Sequence, residues 1–259
     1  MIQKKVDWQI VILVCSLIII IIMGVRQSLG LFLEPVSQFM KDGKEFFSFA
    51  IGFQAIIWGV VTFGLGILID RFGPQKVLAF GIICFASGVF LMSNPSNQLT
   101  LFSSTSLMGF GLGGAGMATM VSIAGKVAPL ENRSFAMGLI AAAASFGQFA
   151  VVLPTMWMNK AFGWEVSLIV LSIITLLLLL LLPLLNNTNE ENNKKDSFVI
   201  ELQSTLIFSL KERNYILLIM GFFVCGFHVT FIALHLPADL MSKGISADVA
   251  GWSLAIIGV

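Results

Sequence analysis

The chain has 259 residues, of which 57% are hydrophobic and only 11% charged. A soluble domain carries about 25% charged residues, so this composition cannot clothe a globular surface in water and marks an integral membrane protein. Lys+Arg number 15 against 14 Asp+Glu, a net charge of +1 with no like-charge block able to hold nucleic acid or an acidic partner. Cys15, Cys84 and Cys225 each lie within apolar runs, without a Cys or His at metal-ligand spacing. Disulfide and zinc frameworks are excluded, and no cofactor is expected.

A bilayer core of about 30 Å takes about 20 apolar residues at helical rise, and the helix is the default spanning unit because it closes its own backbone hydrogen bonds. Seven spans and the start of an eighth are expected. They run from Trp8 to Leu33, Phe46 to Ile69, Pro74 to Met92, Leu99 to Val127, Ser134 to Trp157, Trp164 to Leu185 and Tyr215 to Leu240, with the eighth opening near Val249. The first follows Lys4 and Lys5 but lacks a small-residue cleavage site and is too long for a signal peptide, so it is read as retained. Basic residues in the loops divide ten to four, which puts the N-terminus, Arg71, Lys76 and Lys194 in the cytoplasm and Lys160 outside. The plasma (cytoplasmic) membrane is the expected location.

Three domain-level segments follow: a six-helix bundle over residues 1–185, a polar cytoplasmic linker over 186–212, and the start of a second bundle over 213–259. The first and seventh spans also match each other. At an offset of 202 residues, Gly24 falls on Gly226, Arg26 on His228, Ser28 on Thr230 and Pro35 on Pro237. Parallel repeats of this kind are one build of secondary transporters, and doubling the six-helix unit predicts about 400 residues and twelve spans. On that expectation the chain is a fragment, with Val259 closing an apolar run that has no polar stop.

Between the second and third spans lies Gly66-Ile67-Leu68-Ile69-Asp70-Arg71-Phe72-Gly73-Pro74-Gln75-Lys76. This resembles the signature loop of the major facilitator superfamily, with Pro74 and Gln75 in place of the usual basic pair and Lys76 one step later. Physically, Gly66 and Gly73 remove side chains where helices approach or turn, and Pro74 suits a first helical turn. Asp70 can complement a helix N-terminus while Arg71 faces anionic headgroups. A plain positive-inside turn is the simpler alternative. The stretch Gly24 to Pro35, with Gly226-Phe227-His228, is similar to the first and seventh helices of the monocarboxylate-transporter and oxalate/formate-antiporter branch. The resemblance implies an all-α membrane fold and alternating-access transport of a small organic anion, with a proton or counter-anion as coupling partner. In that family the signature Asp is thought to brace the two halves.

Candidate site residues follow from charge and polarity at membrane depth. Arg26 lies 18 residues beyond Trp8, about 27 Å along a helix. Two readings fit it: a side chain that snorkels to lipid phosphates, or a cavity-facing cation that pairs with a substrate carboxylate. His228, its repeat mate, and His235 serve either as anion contact and proton relay or as packing residues. Gln54 in the second span and Gln148 in the fifth line the cavity by the resemblance, or hydrogen-bond between helices. The run Gly109-Phe110-Gly111-Leu112-Gly113-Gly114-Ala115-Gly116 fits a dinucleotide fingerprint as a string but lacks its strand-turn-helix setting. In a membrane helix it permits close backbone approach. The sixth span is apolar on every face from Leu176 to Leu182 and is expected against lipid.

The family's antiporter Gly-Pro pattern is not met in the fifth span, so transport mode stays open. With no HExxH, no GxSxG and two histidines confined to one helix, an enzyme is not expected. A carrier for another small solute or drug, a channel and a sensor subunit are the competing classes.

Overall fold

A computed structural model describes residues 7–41, 43–185, 209 and 211–258, with the side chains of residues 65–67 and Asp70 outside the description. Among the described residues there are helices and connecting turns but no strands, and seven helices are long and apolar enough to cross a membrane. The linker expected over 186–212 falls outside the described residues except at 209, 211 and 212.

The first span is longer than its hydropathy suggests. Helix α1 (Trp8–Ser28), capped by the Asp7 carboxylate accepting from the Gln9 N–H at 3.2 Å, runs through a 3-10 turn (Leu29–Phe32) into α2 (Leu33–Met40). The rod ends at Lys41, whose φ of 58° is left-handed. Continuation past Leu33 places Arg26 well inside a 33-residue rod rather than near its end.

Helix α3 (Lys44–Phe72) and α4 (Pro74–Met92) are joined by Gly73 alone, at φ 79° and ψ 156°, a conformation that side-chain-bearing residues rarely adopt. Pro74 supplies the first position of α4, where its missing N–H costs nothing. The junction between α7 (Arg133–Phe162) and α8 (Trp164–Leu177) repeats this construction at Gly163, with φ 86° and ψ 165°. The fourth span is two helices, α5 (Gln98–Ala115) and α6 (Met117–Val127), broken at extended Gly116. The Thr119 hydroxyl donates to the Gly113 carbonyl at 2.9 Å across that break, supplying a partner to a backbone group at the interruption. The sixth span finishes as a 3-10 turn (Leu178–Leu185), leaving Leu177 and Leu180 exposed, while Ser172 on its inner face donates to the Ala86 carbonyl at 2.9 Å.

Between apolar helices in lipid, hydrophobicity gives no net attraction and packing decides association. Glycines set the contacts. A Cβ built on Gly114 of α5 would lie 2.7 Å from the Gly81 Cα of α4, and one on Gly111 would lie 2.6 Å from the Phe85 Cα. The glycine-rich run is thus the α4–α5 seam. A Cβ on Gly147 of α7 would stand 2.6 Å from the Ile20 Cα, and Gly24 faces Gly147 and Val151, which brings the first span against the fifth.

Helix α9 (Arg213–Ser242) buries only Ala233, Leu234, Pro237 and Ala238, so its contact with the rest is made by its second half. Gly30 lets the Ala233 backbone approach the first span, and a Cβ there would fall 3.2 Å from the Ala233 carbonyl carbon. Helix α10 (Ala247–Ile256) packs on α7 through Gly251 against Met156 and through an exposed Lys160–Asp248 ion pair.

Candidate functional site

The crossing of the first span with α9 creates the polar site. The Arg26 guanidinium turns inward: Nη2 donates to the Thr230 hydroxyl at 3.1 Å, and the guanidinium carbon lies 4.9 Å from the Trp58 ring centre. Stacking on an indole face is well suited to a planar, weakly hydrated cation. Trp58 in turn lies beside the helix break, where a Cβ on Gly116 would stand 3.4 Å from the indole nitrogen. Among the described residues no carboxylate pairs with Arg26, and its buried Nε has no hydrogen-bond partner.

Two amides close the site. Gln54 of α3 is 2% exposed and Gln27 of α1 only 1%. Gln54 sits where α3 and α5 touch, its backbone carbonyl oxygen 2.8 Å from where a Cβ on Gly109 would stand. Neither the Nε2 nor the Oε1 of Gln27 has a partner, and neither does the Nε2 of Gln54. A buried unsatisfied polar group costs about 1–3 kcal/mol, so three such atoms beside an arginine form an unusual cluster. Arg26, Gln27, Gly30, Ile51, Gln54 and Thr230 border a cavity of about 20 Å³, room for one water molecule. The helices are therefore closed over the polar groups.

The other expected residues stand elsewhere. His228 is exposed and does not border the cavity. The reason is helical phase: two residues separate His228 from Thr230, about 200° of rotation, so the turn that presents Thr230 to Arg26 points the imidazole away. Gln148 is half-buried on α7 next to Gly258, whose Cβ, if present, would lie 2.7 Å from the Gln148 Cβ. His235 lies 4.8 Å from Phe231, ring centre to ring centre, and lines a separate open cleft of about 510 Å³ with Leu33, Lys44 and Asp239. Lys44 in turn meets Glu34 at 2.5 Å. Gln27 was not anticipated; it follows Arg26 directly and, at 100° per residue, can border the same space.

In the signature loop, Arg71 occupies the last turn of α3, half-buried, and Lys76 is exposed at the start of α4. Gly66 and Asp70 lie within α3, and the bracing role expected of Asp70 falls outside the described side chains.

Comparison with known proteins agrees with this architecture. An uncharacterized MFS-type transporter of Bacillus subtilis is 23% identical over 229 residues, 85% of this chain and 55% of its own length. A probable 4-methylmuconolactone transporter of Cupriavidus pinatubonensis is 28% identical over 48% of this chain and 34% of its own. A putative niacin/nicotinamide transporter of Bacillus subtilis is 25% identical over 43% of this chain and 28% of its own. The chain thus spans about half or less of the length of these relatives. The crystal structure of a D-xylose-proton symporter superposes with a TM-score of 0.53 at 19% identity, covering 97% of this chain and 64% of that one. A POT family transporter crystallised with 5-aminolevulinic acid gives 0.57 at 14% identity, over 91% and 52%. The family model of the Major Facilitator Superfamily matches residues 8–259, and the chain belongs to that superfamily.

Proposed function

We propose that the protein is a secondary active transporter that moves a small organic anion across the membrane by alternating access, with Arg26 as the anion contact. The observation that carries this reading is a guanidinium held inward on Trp58 and Thr230 without a carboxylate partner among the described residues. A charge at membrane depth costs several kcal/mol, on the order of 2.5 to 3.5 on insertion scales. A substrate carboxylate supplies both the missing counter-charge and a two-pronged acceptor matched to the guanidinium fork. Gln54 and Thr230 contribute neutral hydrogen bonds from α3 and α9, so substrate binding engages helices from both ends of the sequence. Names of relatives that include niacin/nicotinamide and 4-methylmuconolactone transporters are in keeping with small organic substrates. The bilayer and a coupling proton or counter-anion complete the set of partners. On this reading the N-terminus lies in the cytoplasm, which the ten-to-four division of basic loop residues supports, residues 1–185 belong to the first transport bundle, and 213–259 to the second.

The test is counterflow in proteoliposomes preloaded with nicotinate or lactate. Labelled anion should accumulate transiently, and small carboxylates should compete while the matched amides nicotinamide and lactamide should not. Uptake that amides inhibit as well as acids would overturn the anion assignment.

A further inference from the structure

We infer that the Arg26 pocket reads a second, neutral hydrogen-bonding group on its substrate through Gln27 and Gln54. The substrate class is then a small carboxylate that also bears a hydroxyl, carbonyl or ring-nitrogen acceptor, rather than a plain alkyl or aryl acid. This deepens the carboxylate reading and rests on it.

Amides that hold membrane helices together are bonded across the interface. These two are not: Gln27 leaves both side-chain polar atoms without partners, and Gln54 leaves its amide nitrogen. Exchanging nitrogen for oxygen in Gln27 changes nothing, since neither atom is bonded. Both residues are almost wholly buried, at 1% and 2% exposure, and both border the cavity that Arg26 borders. Their unused capacity comprises two amide donors and one carbonyl acceptor, set on two different helices, α1 and α3. The cavity admits about one water molecule, so in the closed arrangement the amides have at most that one solvent partner. When the helices part around a carboxylate on Arg26, the adjacent Gln27 comes within reach of an atom a few bonds from that carboxylate. An acceptor there takes the amide N–H groups, and a hydroxyl can also donate to the Gln27 carbonyl. An analogue lacking the group leaves the amides unsatisfied and is rejected on that account. Amides do not titrate, so this discrimination is independent of pH.

Equilibrium binding of two matched pairs to the purified protein tests the inference: nicotinate against benzoate, which differ by a ring nitrogen, and lactate against propionate, which differ by a hydroxyl. The polar member of each pair should bind about tenfold or more tightly. Gln27→Leu and Gln54→Leu should each reduce that ratio to within about twofold. Equal binding of both members by the unaltered protein would overturn the inference whether or not the variants fold, as would variants that preserve the ratio. The outcomes that instead defeat the carboxylate reading are distinct: none of the four acids binding, or all four binding undiminished to Arg26→Ala.

Discussion

The Nη2 of Arg26 donates to the Thr230 hydroxyl at 3.1 Å, joining residues 204 positions apart in the chain. The contact ties the first span to α9 about one helical turn from where Gly30 admits the Ala233 backbone. Within the internal repeat, Thr230 is the mate of Ser28 rather than of Arg26. Ser28 spends its own hydroxyl on the Gly24 carbonyl at 2.9 Å, so the two repeat-related hydroxyls do different work.

Thr230→Val keeps the side-chain shape and removes the acceptor. Interhelical hydrogen bonds in membranes contribute about 0.6 kcal/mol on average and up to about 1.7, so a loss of stability in that range is expected. Denaturant unfolding in mixed micelles measures it. Made in an Arg26→Ala background, Thr230→Val should cost nothing further, because the donor that its hydroxyl serves is already gone.

Two glycines of α7 should respond oppositely to alanine. A Cβ at Gly147 meets the Ile20 backbone, whereas nothing lies within 4 Å of one at exposed Gly138. Gly147→Ala should cost about 1–3 kcal/mol through overpacking of the first span on the fifth. Gly138→Ala should be neutral or gain up to about 1 kcal/mol from helix propensity. Thermal unfolding of the two variants side by side gives the comparison.

Topology is testable by single cysteines in a background lacking Cys15, Cys84 and Cys225. An impermeant maleimide should label Lys160→Cys in intact cells and Lys194→Cys only after permeabilisation, following the positive-inside distribution. Labelling of position 194 in intact cells would invert the orientation.

Much of this fold is legible in the sequence because span length and hydropathy are set by the bilayer. The third span, Pro74 to Met92, is found over those very residues, and the Gly73-Pro74 joint could be read from glycine's positive φ and proline's fit to a first turn. Rotational phase is not legible. A helix apolar on all sides carries no stripe to say which face meets protein and which meets lipid, so His228 and Thr230, two residues apart, could not be told apart by hydropathy. The same blindness hid Gln27, a polar neighbour of the conspicuous Arg26. The continuation of the first span to Met40 is not legible in hydropathy because Glu34 and Pro35 interrupt the apolar run after Leu33, although the structure carries the helix through both.

Uptake by Arg26 variants reads the anion site most directly. In proteoliposomes of the whole carrier with labelled nicotinate or lactate, Arg26→Lys keeps the charge but loses the fork and the indole stacking, and the apparent affinity should fall about tenfold or more. Arg26→Ala should abolish saturable uptake at equal protein incorporation. Unchanged kinetics in Arg26→Lys would instead mark a lipid-anchoring cation, and carboxylate uptake that survives in Arg26→Ala would contradict the site.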